Sequence, residues 1–119
     1  MHNLFVYGTL RRNARRTDAQ QAPYELLSRN AQFAGEATVE GTLHDLGNYT
    51  GMVVPGSDRI IGDVFAIEPS QWDFVIARLD AYEGCTENDP RPHEYRRDVV
   101  QARLSSGEMV PAWAYVLNR

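Results

Sequence analysis

The chain has 119 residues, 12 of them basic and 16 acidic, for a net charge of −4, and every basic residue is an arginine. That length supports one domain over residues 1–119 with a core that buries roughly two thirds of the unfolded surface, and the acidic balance argues against a nucleic-acid partner. A single cysteine, Cys85, excludes an intrachain disulfide and a cysteine-rich zinc site, and the lack of a long apolar run predicts a cytoplasmic protein with no membrane partner.

Asn3 to Tyr7 reads as a buried strand stopped by Gly8. Arg11 to Gln21 is polar and reads as a mobile loop, with a short helix near Tyr24 to Arg29. Alternation returns from Gln32 to Leu46, where Phe33, Val39, Gly41 and Leu43 share a parity, and Gly47-Asn48 marks a turn. A strand follows at Met52 to Val54. Ile60 to Ile67 is apolar on both faces, which predicts a central strand. Pro69 suits the first position of a helix that runs to Glu83. Thr86 to His93 holds two prolines and reads as a loop. Tyr95 to Leu104, a turn at Ser105 to Glu108, and Met109 to Leu117 form a hairpin. The sum is an α+β fold, a small mixed, curved sheet or barrel of about six strands with flanking helices.

Glu83 is the most conspicuous side chain. Trp72, Ile76, Leu79 and Glu83 recur at offsets of four, three and four, so the carboxylate lies on the apolar stripe of the helix. It also falls at the helix end beside Gly84, where unpaired carbonyls carry partial negative charge. Both circumstances disfavour the ionised form and predict a raised pKa, which a proton-shuttling residue needs near neutral pH. The alternative is a carboxylate that reaches water or pairs with Arg78, Arg96 or Arg97.

Tyr7-Gly8-Thr9-Leu10 is the second motif. A strand ending in Gly then Thr can turn its backbone so that successive N–H groups face one space, a concavity suited to a carboxylate or a developing oxyanion. The alternative is an ordinary strand end with a tight turn.

In this order across most of the chain, Val6-Tyr7-Gly8-Thr9-Leu10, Gly35 to Leu46, Ile61-Gly62-Asp63-Val64-Phe65, Leu79-Asp80-Ala81-Tyr82-Glu83-Gly84 and Tyr95-Arg96-Arg97 resemble the γ-glutamylcyclotransferase-like family, also called AIG2-like. The resemblance implies a small mixed barrel and a cofactor-independent enzyme. Its reaction cyclises a γ-glutamyl amide to 5-oxoproline and releases the free amine. Carried over by position, Glu83 is the catalytic acid/base, and Tyr7, Gly8, Thr9 and Leu10 hold the substrate. Tyr95 is a pocket tyrosine, and Tyr49 and the turn around it line the pocket. Thr9-Leu10 in place of Ser-Asn is nearest to members of the γ-glutamylamine cyclotransferase type. Two departures stand out: Arg11-Arg12-Asn13-Ala14-Arg15-Arg16 after the first motif, and a longer Thr86 to His93 loop.

The chemistry suits these residue types. The substrate's own α-amine attacks its γ-carbonyl, so the site supplies a folded conformer, proton transfer and charge stabilisation rather than a nucleophile. The expected partner is a small γ-glutamyl substrate, with no metal and no organic cofactor, and the protein is expected to be a monomer or homodimer. The competing reading is a non-catalytic module that uses the same pocket to bind a small carboxylate or a peptide end. Cys85 near His93 as a thiol nucleophile, His2, His44 and His93 as metal ligands, and Arg11 to Arg16 as an RNA contact are weaker readings of the same residues.

Overall fold

The computed structural model describes residues 2–47 and 49–118, so Asn48 of the expected Gly47-Asn48 turn lies outside the described residues. Five strands and two helices follow the order β1 (Asn3–Val6), α1 (Asp18–Asn30), β2 (Ala31–Asp45), β3 (Thr50–Ile67), α2 (Trp72–Glu83), β4 (Tyr95–Leu104) and β5 (Met109–Leu117). The strands close into a mixed barrel in the order β1-β3-β2-β4-β5, with a parallel contact of β1 and β5 at Leu4 and Trp113 as the closing seam.

The α+β class and the curved barrel match expectation, with five strands where about six were expected. Met52 to Val54 and Ile60 to Ile67 belong to one long strand, β3. Its register against β2 jumps from Gly41 opposite Asp58 to Thr42 opposite Val53, so Val54 to Ser57 bulge out of the ladder without ending it. Pro55 and Gly56 look like a strand break in the sequence because both are poor strand residues.

The helix expected near Tyr24 begins earlier, at Asp18. The Thr17 backbone N–H donates to Gln20 Oε1 at 2.9 Å, one half of a capping box that the spacing Thr17-Asp18-Ala19-Gln20 encodes. Pro23 sits inside this helix, where its missing N–H and its ring oppose helix geometry, and so hid the first turns from a sequence reading. The helix expected from Pro69 to Glu83 opens as a 3-10 turn, Pro69–Gln71, and continues as α2 to Glu83.

Two apolar layers divide the core. Phe5, Val39, Met52, Val64, Val100 and Val116 fill the barrel together with Ala37, Ala102, Ala112 and Ala114. Four alanines suit a five-stranded barrel, whose interior is narrow. Outside it, Leu27 of α1 and Val75, Ile76 and Leu79 of α2 pack with Leu4, Val6 and Leu10. In β1, alternate residues thus serve the two layers, which explains why that strand is apolar throughout. Among the described residues, no helix is long and apolar enough to cross a membrane.

Candidate active site

A pocket of about 650 Å³ opens where the C-terminal ends of β1 and α2 meet the first residues of β3 and β4. Phe5 to Leu10, Tyr49, Thr50, Tyr82, Glu83, Glu94, Tyr95 and Tyr115 line it, with Ala14 and Arg15 from the segment leading into α1 and Gln20 from its first turn. Every residue singled out in the sequence as a site candidate, Tyr7, Gly8, Thr9, Leu10, Tyr49, Glu83 and Tyr95, borders this one space.

The backbone positions these groups. After Val6 the chain turns into a 3-10 helix over Gly8–Leu10, and Gly8 takes φ 75°, a left-handed conformation that side chains disfavour. The turn is capped at its far end, where the Arg11 N–H donates to the Gly8 carbonyl at 3.1 Å. No side chain caps its start. The first N–H groups of a helical turn have no partner within the turn, so Gly8, Thr9 and Leu10 bring backbone donors to the pocket wall.

Glu83 arrives on the last turn of α2, four residues beyond the buried Leu79, and is half-buried at the pocket wall. Gly84 at φ 72° ends the helix, with the Gly84 N–H donating to the Ala81 carbonyl at 3.2 Å and the Cys85 N–H to the Asp80 carbonyl at 3.0 Å. This is the Schellman arrangement. Two of the carbonyls expected to face Glu83 with bare partial charge are therefore capped. The expected upward pKa shift is nonetheless present, to about 7 from the ordinary 4.5. Its causes are burial first, then the negative charges of Asp80 and Glu94.

None of the arginines that could neutralise Glu83 does so. Arg78 stacks on Phe74 at 4.2 Å, Arg96 pairs with Asp98 at 3.5 Å, and Arg97 donates to Asp80 through Nε at 3.0 Å and through a second nitrogen at 3.2 Å. Asp80 also accepts the Tyr115 hydroxyl at 2.7 Å. Asp80 is thus held beside Glu83 as a fixed anion whose own oxygens are occupied. Asp80, Tyr115 and Arg97 were not singled out as site residues from the sequence. Asp80 and Arg97 do stand inside the two late motifs, which was the available signal.

The pocket tyrosines present ring surface, because their hydroxyls are engaged with the protein. Tyr7 donates to the Tyr115 carbonyl at 2.7 Å and accepts the Met52 N–H at 2.9 Å. Tyr95 donates to the Thr50 carbonyl at 3.0 Å, and its pKa is pushed up, chiefly by burial, as is that of Tyr7. Tyr49 donates to the Glu94 carboxylate at 2.8 and 3.0 Å, and its ring centre lies 6.4 Å from that of Tyr95. Despite the long loop before it, Tyr95 reaches the pocket.

The Arg11 to Arg16 segment, read as a mobile loop, is tied down. Asp63, buried on β3, accepts the Arg12 N–H at 2.8 Å and the Arg11 guanidinium at 3.3 Å, while Glu36 accepts Arg11 at 3.0 Å. Arg16 donates to the carbonyls of Thr9 at 2.9 Å and Arg11 at 2.7 Å and stacks on Tyr24 at 3.7 Å. Arg12 stacks on Phe33 at 3.7 Å. Cys85 is a poor nucleophile, since burial and the nearby Asp80 and Glu83 charges raise its thiol to about 11. His2 stacks edge-on against Trp72, and His44 and His93 sit on other parts of the fold.

Three solved structures carry this fold over 98% of the chain. YkqA from Bacillus subtilis superposes with a TM-score of 0.68 at 22% identity, and the present chain spans only 36% of its length. A protein described as gamma-glutamyl cyclotransferase gives 0.63 at 14% identity, with 66% of its length covered. Protein ytfP from Escherichia coli gives 0.60 at 29% identity, with 83% covered. No curated protein matches the sequence. The family described as gamma-glutamyl cyclotransferase, AIG2-like, matches residues 4–119, and the chain belongs to that family.

Proposed function

We propose that this pocket cyclises a γ-glutamyl amide to 5-oxoproline and frees the amine, with Glu83 as general acid/base. The observation that supports it best is an unpaired carboxyl group with a pKa of about 7, set in the same pocket as the Gly8–Leu10 turn. Near neutrality such a group is present in both protonation states, which suits a residue that accepts a proton and returns it.

The substrate binds folded, with its α-nitrogen against its own γ-carbonyl carbon. Glu83 as carboxylate takes a proton from the α-ammonium group, and the freed amine attacks the carbonyl. A new C–N bond closes the five-membered ring and the carbonyl oxygen becomes an oxyanion. The N–H groups at the start of the Gly8–Leu10 turn hold that oxyanion or the α-carboxylate; a comparable donor contributes roughly 3 kcal/mol in enzymes where one has been removed. Collapse breaks the original amide bond as Glu83, as carboxylic acid, protonates the departing nitrogen; the Glu83 carboxylate then takes the second proton from the ring nitrogen, which closes as a neutral lactam, and that proton passes to the freed amine, which leaves as an ammonium ion. One amide replaces another and two protons pass in turn from the α-nitrogen to the departing nitrogen, so the step is balanced without a cofactor.

Incubation with a panel of γ-glutamyl amides is expected to release 5-oxoproline, with kcat/KM rising through about pH 7 as Glu83 ionises. Ligand binding without 5-oxoproline from any member of the panel would instead identify a binding module.

A further inference from the structure

Within the arginine-rich segment one guanidinium has no partner among the described residues. Arg11 is held by Asp63 and Glu36, Arg12 stacks on Phe33, and Arg16 is held by two carbonyls and the Tyr24 ring. Arg15, among the described residues, enters no ion pair, side-chain hydrogen bond or ring stack, is exposed, and borders the pocket. The ties on either side fix the backbone that carries it, so its position at the pocket follows from the fold rather than from its own contacts.

Depth in the pocket separates two zones. Leu10 and Tyr95 are buried and Glu83 is half-buried, whereas Arg15, Tyr49, Tyr82 and Glu94 are exposed around the mouth. The reacting end of a γ-glutamyl group must reach Glu83, so the departing amine extends toward the mouth. The acid there, Glu94, already accepts the Tyr49 hydroxyl on both oxygens. Arg15 is the open cation, and its guanidinium can grip a carboxylate with two parallel N–H bonds.

We infer that Arg15 selects γ-glutamyl amides whose departing amine carries a carboxylate, that is, γ-glutamyl amino acids or peptides with a free C-terminus, over simple γ-glutamyl alkylamines. This rests on the proposed reaction for the placement of the glutamyl end. It departs from the γ-glutamylamine preference that Thr9-Leu10 implied.

Glu83→Gln, expected to bind without turnover, is titrated calorimetrically with a γ-glutamyl dipeptide and with the same dipeptide amidated at its C-terminus. The free acid is expected to bind about five- to tenfold more tightly, Arg15→Ala in that background to remove the difference, and Arg15→Lys to restore part of it. Equal binding of the two probes overturns the inference. So does an Arg15→Ala change that weakens both probes alike, which would place Arg15 on the glutamyl carboxylate. Binding of neither probe overturns it together with the proposed reaction. A carboxylate preference that persists while the wild type releases no 5-oxoproline upholds the role of Arg15 and rejects the reaction.

Discussion

Glu83 is a carboxylic acid that folding holds in its protonated form more strongly than water would. Its pKa rises from the ordinary 4.5 to about 7, through burial and through the charges of Asp80 and Glu94. The sign of the consequence for stability follows from proton counting. Below pH 4.5 both folded and unfolded chains are protonated at this residue and folding is unaffected. Between pH 4.5 and about 7 the folded chain keeps a proton that the unfolded chain has lost, so stability falls as pH rises. Above pH 7 the penalty is complete, at most about 3 kcal/mol for a half-buried group. Glu83→Gln removes this titration. Urea denaturation should show the variant more stable than wild type by about 1–3 kcal/mol at pH 8 and equal to it at pH 4. Parallel pH dependences for the two proteins would mean that the carboxyl is not strained in the fold. The anomaly of an acid on an apolar stripe was visible in the sequence, because helical spacing alone places it there. Its neighbours were less visible: Glu94 lies in the loop before β4, and nothing local to Leu79-Asp80 shows that Arg97 and Tyr115 hold the Asp80 carboxylate in place.

At the scale of elements, the site depends on one polar link between β3 and the segment after β1. Asp63 faces the Arg12 N–H and the Arg11 guanidinium, and among the described residues it is the buried acid. Ile61-Gly62-Asp63-Val64-Phe65 reads as a strand pattern in which an acid has no place, and the arginines beside Asp63 account for it. Those arginines in turn look like a solvated run. A pair that spans about fifty residues of sequence leaves no periodic signature, so both halves were legible and their meeting was not. Asp63→Ala leaves the Arg12 N–H and part of the Arg11 charge without a partner, at a cost of about 1–3 kcal/mol. Amide exchange at Gly8 to Leu10 should quicken, and KM for a γ-glutamyl amide should rise more than kcat falls. Unchanged exchange in that turn would show that Asp63 does not hold it. The α1 helix teaches the same lesson from the opposite side. Its cap at Thr17 and Gln20 was written in the sequence, and Pro23 argued against it, but packing of Leu27 against α2 and the barrel decides the outcome.

For the whole molecule, barrel closure is what turns scattered motifs into one site. The closing contact of β1 with β5 puts the turn after β1 beside Tyr115, and the Tyr7 hydroxyl bridges the Tyr115 carbonyl and the Met52 N–H across three strands. Strand patterns and the final hairpin were legible because they are local, and β4 and β5 have the bounds that alternation predicts. Strand order was not, since a barrel seam of one residue pair leaves no trace in local sequence. The family resemblance supplied the joint meaning of Glu83 and the Gly8–Leu10 turn, and the fold places both at one pocket. Turnover of a γ-glutamyl amide by Glu83→Gln, read as 5-oxoproline released at pH 7.5 beside wild type and with substrate binding measured in parallel, tests that meaning most directly. Loss of kcat by about a hundredfold or more with binding retained is the predicted result; 5-oxoproline release within a few fold of wild type would contradict it.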